Sequence, residues 1–390
     1  MDYVTGFETN KDFFDSFPQF DIRKSVFREK NKKSNISYVD GGVGGIPLAW
    51  REDDKTVFID SSDTHSLIMG ATGSKKSRLL VMPTVNILGK AGESMIITDP
   101  KAEIYNRTAH NLSENGYRVF VINFRDPSLG DSWNPLKIPY EFYCNYEIDK
   151  AYEIVNDVAT NLISEAAYNK DPYWDYAASD LFFWLTLILF KFCKDNNLSE
   201  LVNIDSLLYL RRKFFEDSVE GRLSKDKLIW KYIDEDDIIA ASVTGATENA
   251  HNTQRNILCT LDTKLRMFAI SPTLMDMLST NTIDMSDIGN KKTAIFLIMP
   301  DEKTSYHRLI SLFVKQSYEC IINEAQSKHG GVMPIRINYV LDEFSSLPTI
   351  EDFPAMITAA RSRNIRFNLV IQSKHQLLQR YKSETESIVT

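Results

Sequence analysis

Six short apolar runs stand in two separated parts of the chain, and stretches with a helical period follow most of them. The runs are HSLIMG (65–70), SMIITDP (94–100), YRVFVINF (117–124), TAIFLIMP (293–300), YVLDE (339–343) and FNLVIQS (367–373). Strands that are apolar at nearly every position are typical of a parallel sheet that helices cover on both faces. The pattern therefore predicts an α/β fold with a mostly parallel central sheet.

The middle of the chain has a different pattern. Between residues 136 and 280 the strand signal vanishes, and helical stretches such as AYEIVNDVATNLISEA (151–166) and RNILCTLDTKLRMF (255–268) take its place. We predict an all-α domain over 136–280, inserted into one discontinuous domain made of 36–135 and 281–390. Residues 1–35 end in the basic stretch FREKNKKSN, which indicates an arm or linker.

The longest apolar run, LFFWLTLILF, extends from Leu181 to Phe190 between Asp180 and Lys191. It has about half the length that a bilayer-crossing helix needs, so it predicts a buried helix. The first residues show no basic segment followed by an apolar one, as a secretory signal would. We therefore expect a chain with no transmembrane segment.

Composition narrows the class of protein. Apolar residues make up 43% of the 390 residues and charged residues 25%, both typical of globular domains. A net charge of -8 argues against nucleic-acid binding through bulk charge, so any DNA contact must be local. The 4 cysteines are widely spaced and the 6 histidines lack metal-site spacing, which favours reduced thiols and no metal bound by histidine.

A glycine-rich segment joins the first predicted strand of the sheet to a helix. In P-loops this arrangement holds phosphates with backbone N–H groups and the helix N-terminus. Lys76 would reach the β- and γ-phosphates, and the Ser77 hydroxyl would bind Mg²⁺. The residues predicted to bind the nucleotide are Gly70, Ala71, Thr72, Gly73, Ser74, Lys75, Lys76 and Ser77.

Lys75 stands where the P-loop pattern has glycine. A glycine there lets the backbone pass close to the phosphates in a conformation that a side chain disfavours. A lysine is compatible with the loop if its side chain points outward, and its charge favours an anion. Slowed or lost hydrolysis is the other expectation.

Two more strand ends carry candidate residues. Asp342 and Glu343 follow an apolar strand, as in a Walker B motif, where Asp342 would hold Mg²⁺ and Glu343 would act as general base. Gln372 ends another strand, where it could sense the γ-phosphate or be an ordinary loop residue. Together with the glycine-rich loop, these residues predict a RecA-like P-loop NTPase fold.

Two features have open alternatives. Arg361 and Arg363 end a helical stretch, where Arg361 could act as an arginine finger on a neighbouring subunit or be a solvated cation at a helix end. The aromatic residues Tyr173, Trp174, Phe182, Phe183 and Trp184 could stack on bases, although their helical spacing is more typical of core.

Several segments together resemble the VirD4/TraG coupling proteins of type IV secretion. They are GATGSKKS (70–77), ITDPKAEIYNRTAHNL (97–112), SWNPL (132–136), DPYWDYAASDL (171–181) and the region from VLDEFSSLP to ITAARSRNIRFNLVIQSKHQL (340–377). The resemblance covers most of residues 60–380, and its most specific part is the last region.

This resemblance implies a hexameric ATPase that uses ATP and Mg²⁺. Such proteins stand at the cytoplasmic mouth of a secretion channel in the membrane, recruit relaxase-bound DNA and drive conjugative transfer. The resemblance places the phosphate lysine on Lys76, the Mg²⁺ ligands on Ser77 and Asp342 and the catalytic glutamate on Glu343. It places the trans arginine on Arg361 and the sensor glutamine on Gln372.

The chain departs from the family at three points. Besides Lys75, it shows no N-terminal transmembrane helices, and it ends at Thr390, soon after the sensor strand, where members continue. We therefore expect a C-terminally truncated form that has an exposed sheet edge and is poorly soluble or dependent on partner chains.

Three functions remain open on the sequence. The first is an ATP-driven DNA-translocating subunit of the coupling type, located at the cytoplasmic face of the membrane and forming a homo-hexamer. The second is a degenerate, hydrolysis-poor nucleotide-binding module that docks a relaxase or effector protein. The third is a DNA pump of the chromosome-partitioning or repair kind, which would not associate with a relaxase.

Overall fold

A computed structural model describes residues 19–21, 43–51, 56–163, 172–216, 251–300 and 306–389. Nine strands lie in these segments. They are β1 (Gln19–Asp21), β2 (Ile46–Arg51), β3 (Thr56–Asp60), β4 (Ser66–Met69), β5 (Ser94–Asp99), β6 (Arg118–Asn123), β7 (Thr293–Ile298), β8 (Ile337–Leu341) and β9 (Ile365–Ile371).

The α-helices of the described segments number twelve, apart from short 3-10 turns. They are α1 (Met82–Ala91), α2 (Glu103–Glu114), α3 (Lys137–Cys144), α4 (Ile148–Ile163), α5 (Tyr173–Asn196), α6 (Ile204–Glu216), α7 (His251–Ala269), α8 (Pro272–Met277), α9 (His307–Lys328), α10 (Phe353–Ala360), α11 (Lys374–Tyr381) and α12 (Thr385–Val389). A π-helical turn, Ser77–Val81, leads directly into α1.

Strands β4 to β9 form one six-stranded sheet in the order β4-β9-β8-β5-β7-β6. The pairs β4/β9, β9/β8, β8/β5 and β5/β7 are parallel. Every residue of β5, β7, β8 and β9 is buried, which explains why these runs are continuously apolar. Each of the six runs predicted as strands forms one, and the predicted mostly parallel sheet is confirmed.

Helices α1 and α2 pack on one face of this sheet through an apolar cluster that includes Val85, Leu88 and Leu112. On the other face the rings of Tyr339 and Phe367 stack at 4.7 Å, and Phe353 of α10 meets Phe367 edge-on. Helices therefore cover the sheet on both faces, as the continuously apolar strands predict.

A second, smaller sheet was not predicted from the sequence. Its strands are antiparallel in the order β1-β3-β2. Val57 and Ile59 of β3 pack against Ile87 of α1. This sheet therefore extends the apolar cover of the helix that follows the glycine-rich loop.

The contacts of the chain divide it into two compact units. One is Met1–Val121, Asp284–Asp301 and Tyr318–Thr390, and the other is Ile122–Ile283 and Glu302–Ser317. In the described residues the second unit is built on helices α3 to α8, with α5 against α4, α6 and α7.

Helix α5 contains the long apolar run and is longer than that run, with 24 residues. By length and composition it could cross a membrane, but 61% of its apolar window is buried inside the protein, as in a core helix, so it is weak evidence for a span. The aromatic residues of α5 differ in burial, since Phe182 is fully buried whereas Tyr173 is 50% exposed. The expectation that this aromatic set belongs to the core is thus met by Phe182 and not by Tyr173.

Candidate functional site

The glycine-rich loop leaves the carboxyl end of β4 and enters the helical turn at Ser77. Gly70 N–H donates to the carbonyl of Ile371 at 3.2 Å, which ties the loop to β9. A Cβ at Gly70 would lie 2.8 Å from Ser74 Oγ and 3.1 Å from a Lys76 side-chain carbon, so a larger residue would displace these two side chains. Lys76 Nζ donates to the Gly70 carbonyl at 2.5 Å. Its ammonium group therefore lies against the inner side of the loop.

Lys75 has a φ of 62°, in the left-handed region that favours glycine. Its side chain is exposed, as expected for a lysine that is compatible with the loop. Its carbonyl accepts from the N–H groups of Arg78 and Leu79 at 3.0 and 2.9 Å, so the residue also opens the helix. Lys75 therefore has the left-handed backbone conformation for which P-loops use glycine. A lysine adopts this conformation at a cost of about 1–2 kcal/mol.

Ser77 and Asp342 meet although they are 265 positions apart in the sequence. The Ser77 hydroxyl donates to Asp342 Oδ2 at 2.6 Å. Asp342 follows β8, is only 2% exposed, and its carbonyl accepts from the Thr98 hydroxyl at 2.8 Å. Burial raises the pKa of Asp342 above its ordinary value, and the Ser77 hydrogen bond acts in the opposite direction.

Gln372 connects the glycine-rich loop to the second acidic residue. Its Oε1 accepts from the Thr72 hydroxyl at 2.9 Å, and its Nε2 donates to Glu343 Oε2 at 2.9 Å. Glu343 has a φ of 53°, and its N–H donates to Asp342 Oδ1 at 3.0 Å. Loop, acidic pair and glutamine therefore form one hydrogen-bonded cluster at the carboxyl edge of the sheet.

Arg361 is not part of this cluster. It precedes β9, whereas Gln372 follows it, and the strand between them spans about 20 Å. Arg361 Nε donates to Asp63 Oδ2 at 2.9 Å, with the two side chains 60% and 53% exposed. The arginine therefore lies at the amino edge of the sheet, away from the glycine-rich loop of its own chain.

Asp99 lies beside this cluster and was not among the residues predicted from the sequence. It ends β5, next to the acidic strand β8, is 1% exposed, and accepts from Tyr105 N–H at 2.8 Å. Burial, with a smaller contribution from the Asp342 charge, raises the pKa of Asp99 to about 6. An acid directly after a buried strand was the available signal, the same one that identified Asp342.

No cluster of three or more His, Cys, Asp or Glu side chains that could hold a metal occurs in the described segments. Ser77 and Asp342 place two side-chain oxygens together, a number that would suit a Mg²⁺ with its remaining ligands from phosphate and water. The hydrogen-bonded cluster of loop, acidic pair and glutamine therefore fits a magnesium ion that is bound together with a nucleotide.

Solved structures with the same architecture place the fold in a class. Plasmid coupling protein TrwB in complex with the ATP analogue ADPNP matches with a TM-score of 0.55 and 15% identity, over 84% of this chain and 68% of that chain. TrwB in complex with ADP and Mg²⁺ matches with a TM-score of 0.56 and 16% identity over the same shares. VirB4 of Thermoanaerobacter pseudethanolicus matches with a TM-score of 0.51 and 14% identity, over 90% and 81%.

The sheet order, the glycine-rich loop after β4 and these matches define a RecA-like P-loop NTPase fold, as predicted. Comparison with curated proteins finds no match. The family model described as type IV secretory system conjugative DNA transfer matches residues 19–389. The chain belongs to this family, and the predicted resemblance to its coupling proteins is confirmed.

Proposed function

We propose that this chain is the ATP-dependent, DNA-translocating coupling ATPase of a type IV secretion or conjugation system. It hydrolyses ATP to recruit relaxase-bound DNA, or another secretion substrate, and to pump DNA toward a secretion channel in the membrane. The observation that carries this proposal is the 2.6 Å hydrogen bond between Ser77 and Asp342, which joins the glycine-rich loop to the acidic strand.

Lys76 and the loop residues Gly70 to Ser77 would hold the phosphates, because the loop surrounds the lysine ammonium and opens a helix N-terminus. Ser77 and Asp342 would hold Mg²⁺, which neutralises charge on the phosphate oxygens when bound. TrwB has been solved with ADPNP and with ADP and Mg²⁺, and its shared fold supports this assignment.

Glu343 is the general base in this proposal. Its carboxylate is oriented by Gln372, which also contacts the loop through Thr72, so the glutamine can report the state of the γ-phosphate to the base. Nucleophilic water would lie between Glu343 and the γ-phosphate and lose its proton to the carboxylate.

Arg361 would act on the nucleotide of a neighbouring subunit. Its place at the amino edge, about one strand length from its own loop, is compatible with a role in trans and not in cis. This supports a homo-oligomeric ring, for which we propose a hexamer at the cytoplasmic face of the membrane. We also propose that 36–135 and 281–390 form the nucleotide domain, and that 136–280 is the inserted domain that contacts the transported substrate.

The first test is ATP turnover with and without DNA. Lys76→Ala should lower turnover by roughly 100-fold or more, because a preorganised cation at the transferring phosphate is lost. Lys328→Ala, the same change at an exposed lysine on α9, serves as the control and should leave turnover unchanged. Equal turnover by Lys76→Ala and the wild-type chain would contradict the assignment.

The second test mixes two inactive variants, Lys76→Ala and Arg361→Ala. If Arg361 acts in trans, random mixing in equal amounts restores about one quarter of the sites, namely those with an intact loop beside an intact arginine. No recovery in a mixture that co-assembles would refute the role in trans.

A hydrolysis-poor module that binds nucleotide and docks a relaxase or effector protein is the second candidate. The left-handed conformation at Lys75 favours it, since this residue departs from the P-loop pattern at the phosphate site. In this case Lys76→Ala should weaken ATP binding and spare capture of the protein partner. Turnover by the wild-type chain would exclude it.

A further inference from the structure

Two helices of the second compact unit form a basic surface that the nucleotide site does not use. Both α6 and α7 pack against α5, and a salt bridge from Arg211 of α6 to Asp262 of α7 joins their outer sides. We call this surface the α6–α7 face. Its exposed side chains are Tyr209, Arg212 and Lys213 on α6, and Arg255, Cys259, Asp262 and Arg266 on α7.

The charge of this face differs from that of the chain. Four exposed residues of α7, Arg255, Cys259, Asp262 and Arg266, recur at spacings of four, three and four, which places them in one row along the helix. The face has five cationic residues and one carboxylate, that of Asp262, and Asp205 lies one turn earlier on α6. The cations are Arg211, Arg212, Lys213, Arg255 and Arg266. A face with a clear excess of cations is thus present on a chain whose net charge is -8.

Three of the five cations on this face, Arg212, Arg255 and Arg266, are exposed and available to a ligand. In the described part of the chain, Arg212, Arg255 and Arg266 form no ion pair, whereas Arg211 is paired with Asp262. Tyr209 is 56% exposed, and Lys213 Nζ lies 6.0 Å from the centre of its ring. A flat aromatic ring among cations is the combination that binds single-stranded nucleic acid, where the cations follow the phosphates and the ring stacks on a base.

We propose that the α6–α7 face binds the sugar–phosphate backbone of a single DNA strand, and that Tyr209 stacks on one of its bases. This inference rests on the proposed function, which makes DNA the transported substrate. Charge complementarity selects a polyanion as the occupant. The residues that define the face include no aliphatic side chain, and the exposed Ala269 and Ile270 lie at its end, after Arg266.

The test is binding of a labelled single-stranded oligonucleotide of about 16 nucleotides, measured by fluorescence anisotropy at several salt concentrations. The logarithm of affinity should fall linearly with the logarithm of salt concentration. Each of Arg212→Gln, Arg255→Gln and Arg266→Gln should reduce the magnitude of that slope by about 0.7. Tyr209→Leu should weaken binding by roughly 5- to 100-fold with little change of slope.

Arg107→Gln on α2 is the matched control, because Arg107 is an exposed arginine outside this face. It should leave both slope and affinity at their wild-type values. The altered side chains are exposed, so unchanged thermal unfolding will show that each variant is folded.

Cys259 gives an independent measurement, since it is exposed in the middle of the row on α7. Bound DNA should slow alkylation of Cys259 severalfold and leave the rate at Cys144 unchanged. In the Arg255→Gln, Arg266→Gln double variant this protection should be lost.

The outcomes separate this inference from the proposed function. If the wild-type chain binds DNA and the arginine variants keep its slope, the α6–α7 face is not the contact, while the coupling function stands. If the wild-type chain binds no DNA at any salt concentration, both fail. If Tyr209→Leu weakens the binding of duplex DNA as much as that of single-stranded DNA, or weakens neither, stacking of Tyr209 on a base is refuted.

Discussion

The backbone at Lys75 leads to a prediction that separates strain from charge. Lys75→Gly removes a side chain from a residue with a φ of 62°. A non-glycine residue with left-handed φ destabilises the folded chain by about 1–2 kcal/mol, and Lys75→Gly removes this strain. Glycine is also more flexible in the unfolded chain, which reduces the gain in stability by about 0.5–1 kcal/mol. We therefore expect Lys75→Gly to raise the free energy of unfolding by about 0.5–1 kcal/mol.

Lys75→Ala is the matched variant, because alanine lacks the charge but keeps the Cβ that makes the conformation costly. It should be no more stable than the wild-type chain. Unfolding in urea measures the free energy of all three proteins, and ATP turnover of the same samples shows whether relief of strain also raises activity. Equal stability of the glycine and alanine variants would refute the reasoning, since it would show that the loop carries no strain at this residue.

Three further predictions follow from the site and its surroundings. Burial raises the pKa of Asp99 to about 6, so the folded chain holds this proton more tightly than the unfolded chain. Its unfolding free energy should therefore fall by up to about 3 kcal/mol between about pH 4 and pH 6, and Asp99→Asn should flatten that dependence in urea unfolding. Asp63→Asn breaks an exposed ion pair, so the thermal unfolding temperature should stay unchanged. ATP turnover should fall severalfold because Arg361 loses the partner that orients it, but by less than with Arg361→Ala. Ala102 has a φ of 58°, so Ala102→Gly should stabilise the chain, whereas Ala109→Gly within α2 should destabilise it by about 1 kcal/mol, both measured by urea unfolding.

The large sheet was predictable because its strands are buried on both faces and leave continuous apolar runs. The small sheet was not, since β1 has three residues and the segment IPLAWR of β2 alternates too little to stand out. Its strands gain their place from packing on α1, which is a tertiary contact.

The candidate site was predictable to the extent that motifs name its residues. The Ser77–Asp342 pair follows from two motifs that parallel strands bring to one edge. The hydrogen bonds that connect Thr72, Gln372 and Glu343 could not be predicted in this way. They depend on the order of the strands in the sheet, which spacing along the sequence does not encode. Asp99 carries the same signal as Asp342, an acid at the end of a buried strand, but its place beside Asp342 follows only from the pairing of β5 with β8.

Strand β9 has a special place in this arrangement. It lies between the loop strand β4 and the acidic strand β8, so Gln372 at its carboxyl end can contact both. Its amino end follows Arg361, and there His65 Nδ1 accepts from Phe367 N–H at 3.0 Å, which joins the starts of β4 and β9. We propose that a shift of Gln372 with the γ-phosphate is transmitted along this fully buried strand, over about 20 Å, to Arg361. In the proposed ring, the nucleotide state of one subunit would thereby change the position of the arginine that serves its neighbour.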